Sequence, residues 1–117
     1  MNVDSNNLPL METFYSIQGE GFHSGKPAYF IRIGGCDVGC HWCDVKESWD
    51  HAKHQIVSVD DIVSKINGTN LVIITGGEPL MWDMTTLTKT IKKNKMFVHL
   101  ETSGAYNFSG NWDWVCL

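Results

Sequence analysis

Apolar runs that alternate with amphipathic segments constrain the fold of this chain more than any other feature. Three runs are rich in β-branched and aromatic residues and end in turn-forming residues: PAYFIRIGGC (27–36), NLVIITGGEP (70–79) and MFVHLETSG (96–104). Runs of this kind predict strands, and the continuous apolar run of the second is typical of a strand that is covered on both faces.

Two helices are predicted between these strands. In SVDDIVSKING (58–68), Ser58 is a suitable N-cap with Asp61 three residues later, and Gly68 is a suitable end. In PLMWDMTTLTKTIKKNK (79–95), apolar side chains recur at helical spacing and basic residues gather near the C-terminus, where the helix dipole favours them. The members of this apolar stripe are Leu80, Met84, Leu87 and Ile91.

Strands that alternate with helices predict βαβ units and a parallel sheet. We therefore expect an α/β fold in which residues 1–117 form one domain and residues 1–10 are loose. The last residues, DWVCL (113–117), begin another strand. A chain of this pattern is expected to continue with a helix and further strands, so we expect the sequence to be the N-terminal part of a longer protein.

Charge and composition exclude several functional classes. The chain of 117 residues has a formal net charge of −4, which argues against broad binding to nucleic-acid phosphates. No apolar run approaches the roughly 20 residues that span a bilayer, and the N-terminus lacks the pattern of a secretion signal. We therefore expect a cytoplasmic protein without nucleic-acid or membrane partners. In that compartment, clustered cysteines are metal-binding or catalytic more often than disulfide-bonded.

The segment GGCDVGCHWCD (34–44) concentrates three cysteines in the spacing C-x3-C-x2-C. A structural zinc ion takes four ligands, so zinc would need a further donor from elsewhere in the chain. Three thiolates on an iron–sulfur cluster, by contrast, leave one iron open to a substrate or cofactor. We favour the cluster, and zinc stays open as the alternative. The cysteines are Cys36, Cys40 and Cys43, and the further donors available to zinc are His23, His51, His54 and Cys116.

This cysteine spacing, followed by TGGEP (75–79), resembles the radical S-adenosylmethionine (SAM) superfamily. The stretch FYSIQGEGFHSGKPAYFIRIGGCDVGCHWCD (14–44), together with ETSG (101–104), is similar to one family within it, the 7-carboxy-7-deazaguanine synthases. The resemblance implies the N-terminal part of a partial (β/α) barrel whose site lies at the carboxyl ends of parallel strands. It also implies a [4Fe-4S] cluster, SAM and Mg²⁺ as cofactors.

The activity implied by the resemblance is that of a carbon–nitrogen lyase of queuosine biosynthesis, a tRNA modification pathway. Such an enzyme converts 6-carboxy-5,6,7,8-tetrahydropterin to 7-carboxy-7-deazaguanine with loss of ammonia. A 5′-deoxyadenosyl radical derived from SAM abstracts a hydrogen atom from the substrate, and the ring then contracts. The family also implies a reductant such as flavodoxin or ferredoxin, and a homodimer.

Roles for individual residues follow from the same resemblance. The three cysteines would ligate the cluster, and no side chain is assigned as a catalytic acid or base. Contacts to SAM are implied for Trp42, Asp44, Gly76, Gly77, Glu78, Glu101 and Ser103. Contacts to the substrate are implied for Ile17, Gln18, Gly19, Glu20, Arg32 and Thr75, with Arg32 pairing with its carboxylate.

The magnesium site departs from the family pattern. Val45 stands where the family commonly has a threonine that helps to hold Mg²⁺, and a valine side chain has no oxygen to offer. Either Asp44, Ser48, a backbone carbonyl or water takes its place, or the dependence on Mg²⁺ is weaker. Magnesium tolerates water ligands well, so the ion is still expected, with its protein ligands unassigned.

Alternatives remain at this point. A glycyl-radical activating enzyme also uses C-x3-C-x2-C, although IQGEG (17–21) and Arg32 argue against it. From a different class, the chain would be a zinc-stabilised binding module or an inactive fragment. Two of the residues with implied roles also have a purely structural alternative. Arg32 would then face solvent from its strand, and Glu101 would cap the turn that follows it.

Overall fold

A mixed sheet of six strands organises the part of the chain that the structure describes. The computed structural model describes residues 4–17, 25–34 and 55–117. Along the sheet the strands lie in the order β3-β1-β2-β4-β5-β6. The strands are β1 (Asn7–Ile17), β2 (Pro27–Ile33), β3 (Gln55–Ser58), β4 (Leu71–Gly76), β5 (Phe97–Glu101) and β6 (Trp114–Cys116). The helices are α1 (Val59–Ser64) and α2 (Thr85–Lys93), with a 3₁₀ turn at Pro79–Met81.

The parallel part of the sheet confirms the predicted α/β fold. Strands β2, β4, β5 and β6 pair in parallel, whereas β1 pairs antiparallel with both β2 and β3. The sequence did not predict β1 or β3. The expectation that residues 1–10 are loose is wrong for residues 7–10, because they begin β1 and the side chain of Leu8 is fully buried.

The two faces of the sheet carry separate apolar clusters. One face packs against α1 and α2 and holds the larger cluster, which includes Ile31, Ile74 and Leu100 from three neighbouring strands. The opposite face holds a smaller cluster of Ala28, Phe30, Leu71 and Ile73, with Phe14 packed against it. Apolar residues on both faces explain why β2 and β4 appear in the sequence as continuous apolar runs.

The helix predictions hold in part. The Ser58 hydroxyl caps α1 by accepting a hydrogen bond from the Asp61 N–H at 3.2 Å, but the helix ends at Ser64 rather than at Gly68. The second predicted helix is divided into the 3₁₀ turn and α2, and its apolar stripe is buried as predicted. Among the described helices, none is long and apolar enough to cross a membrane.

A β-bulge interrupts β1 and exchanges its two faces. The pairing with β2 shifts between Leu10, opposite Ile33, and Glu12, opposite Arg32. Leu8 and Leu10 pack into the helix-covered cluster, whereas Phe14 packs on the other face. Residues an even number apart normally share a face of a strand, so the extra residue at the bulge causes the exchange.

Candidate functional site

A cavity of about 240 Å³ opens at the carboxyl ends of β4, β5 and β6. In a parallel α/β sheet this is the edge at which ligands bind. The cavity brings together five residues that the sequence predicted for the site: Thr75, Gly76, Gly77, Glu101 and Ser103. Its remaining lining comes from Thr102, Cys116 and Leu117, which the sequence analysis did not assign to the site.

Beneath this cavity lies Glu78, whose side chain is fully buried. One carboxylate oxygen accepts hydrogen bonds from the Ser103 N–H at 2.8 Å and the Ser103 hydroxyl at 2.7 Å. The other accepts from the Thr102 hydroxyl at 2.6 Å and the Leu80 N–H at 3.0 Å. A carboxylate has about four lone-pair positions, so these donors satisfy it without a cation. The carboxylate therefore ties the loop after β4 to the loop after β5.

The glycine pair after Thr75 fits closely against the end of β2. Gly76 has a φ of +127°, and a Cβ built on it would lie 2.2 Å from the carbonyl oxygen of Ile33. The Gly77 N–H donates to that same oxygen at 3.0 Å. Only glycine permits both the dihedral angle and this approach of two backbones. The indole N–H of Trp82 also donates to the carbonyl of Gly34 at 2.8 Å, directly before the cysteine segment.

Arg32 lies beside the cavity on the face of the smaller apolar cluster. It pairs in register with Thr75 on one side and with Glu12 on the other. Its Nη1 donates to Glu12 Oε1 at 3.0 Å, and its guanidinium lies over the Phe14 ring, 5.9 Å from the centroid. Arg32 therefore has an acidic and an aromatic partner, and the sequence analysis did not single out Glu12.

The structure does not bring Ile17 to this group. Ile17 pairs with Pro27, five positions before Arg32 on β2, which is about 16 Å along a strand. The other predicted members of the site lie outside the described residues and stay predictions. They are Gln18, Gly19, Glu20, Cys36, Cys40, Trp42, Cys43 and Asp44, with Val45 at the expected magnesium position.

The donors and acceptors in the cavity suit the charged end of an amino acid. The carboxylate of Glu101 suits an ammonium group, and the hydroxyl of Thr75 can donate to or accept from a polar ligand. The Ser103 hydroxyl already donates to Glu78 and accepts from the Ala105 N–H. The Glu101 carboxylate fits the ammonium group at the methionine end of SAM. The three cysteines that the resemblance assigns to the cluster follow the Gly34 anchor and lie outside the described residues.

Two described carboxylates have clearly shifted pKa values, and neither lines this cavity. Hydrogen bonds from the side chain and backbone of Thr85 lower the pKa of Asp83. Burial opposes ionisation of Asp113, but hydrogen bonds from the Val98 N–H and from Lys92 outweigh it and lower the pKa of Asp113. Asp83 lies just before α2 and Asp113 lies just before β6, so both pKa shifts arise from contacts that support these elements of the fold.

Comparison with known proteins identifies the class of this site. The sequence profile described as "Radical SAM superfamily" matches residues 30–113, which is most of the chain. The chain belongs to the radical SAM superfamily.

Within that superfamily, the chain is similar to proteins named 7-carboxy-7-deazaguanine synthase. It is 61% identical to the one from Flavobacterium psychrophilum over 111 residues, which cover 94% of this chain and 53% of the relative. It is 50% identical to the one from Synechocystis over 113 residues, which cover 95% of this chain and 54% of the relative. These similarities confirm the resemblance seen in the motifs.

A solved structure supports the same grouping. The crystal structure of QueE from Escherichia coli superposes with a TM-score of 0.87 at 33% identity, covering 93% of this chain and 58% of that one. This match confirms the mixed α/β sheet with parallel strands. The chain spans about half the length of the curated relatives it matches.

Proposed function

We propose that residues 1–117 form a radical SAM core domain, and that the protein acts as a 7-carboxy-7-deazaguanine synthase. It would be a carbon–nitrogen lyase acting on 6-carboxy-5,6,7,8-tetrahydropterin. One observation carries this proposal: Arg32 and Thr75 lie in register beside the cavity that contains Gly76, Gly77 and Ser103. A group that can bind a carboxylate thus adjoins a cavity that suits SAM.

The cofactor would be held by two parts of the chain. Cys36, Cys40 and Cys43 would hold a [4Fe-4S] cluster, with Trp42 and Asp44 beside SAM. In the cavity, Gly76, Gly77, Glu101 and Ser103 would contact the methionine end of SAM. When bound, the cluster and SAM supply the 5′-deoxyadenosyl radical that abstracts a hydrogen atom from the substrate.

Glu78 acts indirectly in this proposal. The resemblance assigns it to SAM, but its acceptor positions are occupied by the donors of Leu80, Thr102 and Ser103. We assign it the role of holding the Ser103 loop against the Gly76–Gly77 backbone. A direct contact to SAM would require Glu78 to exchange one of these hydrogen bonds.

Substrate contacts complete the proposal. Arg32 would bind the pterin carboxylate, and the Thr75 hydroxyl would contact the pterin. Ile17, Gln18, Gly19 and Glu20 would contribute further contacts on the basis of the resemblance. Mg²⁺ would bind near the substrate carboxylate with ligands other than the side chain of Val45. The reductant would be a flavodoxin or ferredoxin, and the assembly a homodimer.

The test is an electron paramagnetic resonance spectrum of anaerobically reconstituted, reduced protein, recorded with and without SAM. We expect a [4Fe-4S]⁺ signal that changes when SAM is added, followed by formation of 7-carboxy-7-deazaguanine from the carboxytetrahydropterin. A cluster signal that is indifferent to SAM would contradict the proposed SAM site. Zinc at one equivalent without iron would favour a zinc-stabilised binding module instead. Formation of a glycyl radical on a partner protein, without turnover of the pterin, would favour an activating enzyme.

A further inference from the structure

Glu12 is the acidic partner of Arg32, and nothing in the stability of the fold requires it. The side chains of Arg32 and Glu12 are 33% and 51% exposed, and ion pairs at such exposure contribute little to folding. Both residues lie on the face that carries the smaller apolar cluster, next to the candidate site. The position of the Arg32–Glu12 pair therefore indicates a role in the candidate site.

The β-bulge delivers Glu12 to this face. Without the register shift between Leu10 and Glu12, the alternation of β1 would place Glu12 with Leu8 and Leu10, against the helices. Bulges occur frequently next to active sites, where they redirect a side chain. Here the bulge brings a carboxylate next to the one arginine of β2.

Arg32 depends on Glu12 for its orientation. An arginine side chain has five N–H donors. Among the described residues, Glu12 is the one acceptor of Arg32, and Arg32 Nε is enclosed without a hydrogen-bond partner. The Phe14 ring, stacked on Phe30 with centroids 5.1 Å apart, supports the guanidinium from one side. Removal of the Glu12 carboxylate would leave the guanidinium with this ring contact but without its described hydrogen bond.

We propose that Glu12 is a positioning residue for the substrate carboxylate. It fixes the Arg32 guanidinium so that the remaining terminal N–H groups meet a planar carboxylate beside Thr75. This inference rests on the proposed function, because it takes Arg32 as the group that binds the carboxylate. It adds a residue whose effect is restricted to ligands that carry that carboxylate.

The experiment compares two ligands in four forms of the reconstituted protein: the unsubstituted protein, two variants of Glu12 and one control variant. Dissociation constants of 6-carboxytetrahydropterin and of tetrahydropterin, which lacks the carboxylate, are measured anaerobically with SAM present. We expect Glu12→Ala to weaken binding of the carboxylated pterin about tenfold, since an oriented hydrogen bond to a charged group is lost. Binding of tetrahydropterin should not change. Glu12→Gln keeps an acceptor oxygen and should remain within about threefold of the unsubstituted protein.

Two controls separate the possible outcomes. Lys92→Gln removes the other described ion pair, between Lys92 and Asp113, and should alter neither dissociation constant. The SAM-dependent change of the cluster signal should persist in every variant. Equal weakening of both ligands by Glu12→Ala, or no weakening of either, overturns the positioning role alone. Failure of the unsubstituted protein to bind the carboxylated pterin, or to respond to SAM, overturns the proposed function and this inference together.

Discussion

Glu78 is a fully buried carboxyl group, and its partners among the described residues are hydrogen-bond donors. Its donors come from Leu80 on one loop and from Thr102 and Ser103 on another. A substitution that removes the carboxylate would leave these buried donors without an acceptor. That cost exceeds the contribution of an average hydrogen bond to the free energy of unfolding. The residue is therefore as important for the shape of the cavity as for any contact within it.

The first prediction concerns Glu78→Gln. The amide keeps the size of the side chain but turns an N–H₂ group toward N–H and O–H donors. We expect the free energy of unfolding to fall by about 2–3 kcal/mol, as measured by urea denaturation. Glu12→Gln is the matched control, the same substitution at a half-exposed position, and should cost less than about 0.5 kcal/mol. Equal effects of the two substitutions would contradict the structural role of Glu78.

The second prediction concerns Gly76→Ala. The added Cβ would lie 2.2 Å from the oxygen and 2.5 Å from the nitrogen of Ile33, so β2 and β4 must separate. We expect a loss of soluble, folded protein, or at least about 3 kcal/mol of stability by denaturant unfolding, because a clash adds to a positive φ.

Gly25→Ala is the control for this substitution. Gly25 also has a positive φ, at +89°, but no atom of the described residues lies within 4 Å of the added Cβ. Its cost should be that of the dihedral angle alone, about 1–2 kcal/mol. A loss at Gly76 no larger than the loss at Gly25 would show that the close approach to Ile33 is not limiting.

At the scale of elements, the end of β2 is fixed before the cysteine segment begins. The Gly34 carbonyl accepts from Trp82, the Gly34 N–H donates to Pro9, and the Ile33 carbonyl accepts from Gly77. Three separate parts of the chain thus hold the last residues before Cys36. Under the proposed function, a fixed start of the cysteine segment would favour cluster binding, because fewer backbone conformations must be excluded when the cluster binds.

The third prediction tests this anchor with Trp82→Phe. Phenylalanine keeps an aromatic ring but cannot donate to Gly34. We expect a loss of about 1 kcal/mol in stability together with a lower iron content per chain after reconstitution. Trp112→Phe removes a similar bond, from the indole N–H to the Ser109 carbonyl at 2.7 Å, and should destabilise without affecting iron content. Identical iron content in both variants would contradict a specific role for Trp82.

Local sequence signals predicted the elements that depend on local contacts. The Ser58 cap and the apolar run of β4 were recognisable because a cap lies within three residues and a covered strand is apolar throughout. Strand β1 was missed because its bulge breaks the two-residue alternation that marks a strand. The division at the start of α2 was also missed, since it depends on the distant Ser109 hydroxyl, which accepts from the Met84 N–H.

The residues of the candidate site divide in the same way, into those that local sequence motifs predict and those that depend on contacts between distant parts of the chain. Thr75, Gly76 and Glu101 were predictable because they occur in recognisable motifs at the ends of apolar runs. Glu12 was not, because its importance depends on the register between β1 and β2. The hydrogen bonds of Glu78 to Thr102 and Ser103 join residues more than twenty positions apart, and no sequence pattern indicates them.

At the scale of the whole molecule, the described sheet is open, with β3 and β6 at its edges. Exposed apolar side chains lie on and near β6, including Phe97, Trp114 and Val115. An open strand beside exposed apolar surface favours association between chains.

The fourth prediction is therefore that the 117-residue chain associates as its concentration rises, measured by size-exclusion chromatography with light scattering. Val115→Lys places a charge on the exposed strand β6 and should shift the distribution toward monomer. Gln55→Lys, at the exposed start of β3 on the opposite edge, is the control and should have little effect. Association that responds equally to both substitutions would not be occurring through β6.

The bulge in β1 also determines how insertions and deletions would act on this chain. Strand faces alternate from one residue to the next, so removal of Met11 alone would make Leu10 and Glu12 consecutive residues on opposite faces of a regular strand. Leu10 would stay opposite Ile33 on the helix-covered face and Glu12 would stay opposite Arg32, so this deletion would remove the bulge and keep both the core contacts and the ion pair. Removal of the one residue between Leu8 and Leu10, by contrast, would place these two leucines on opposite faces of the strand. The N-terminal strand is thus expected to tolerate loss of one residue at the bulge itself, whereas the same loss two residues earlier would cost a contact in the core.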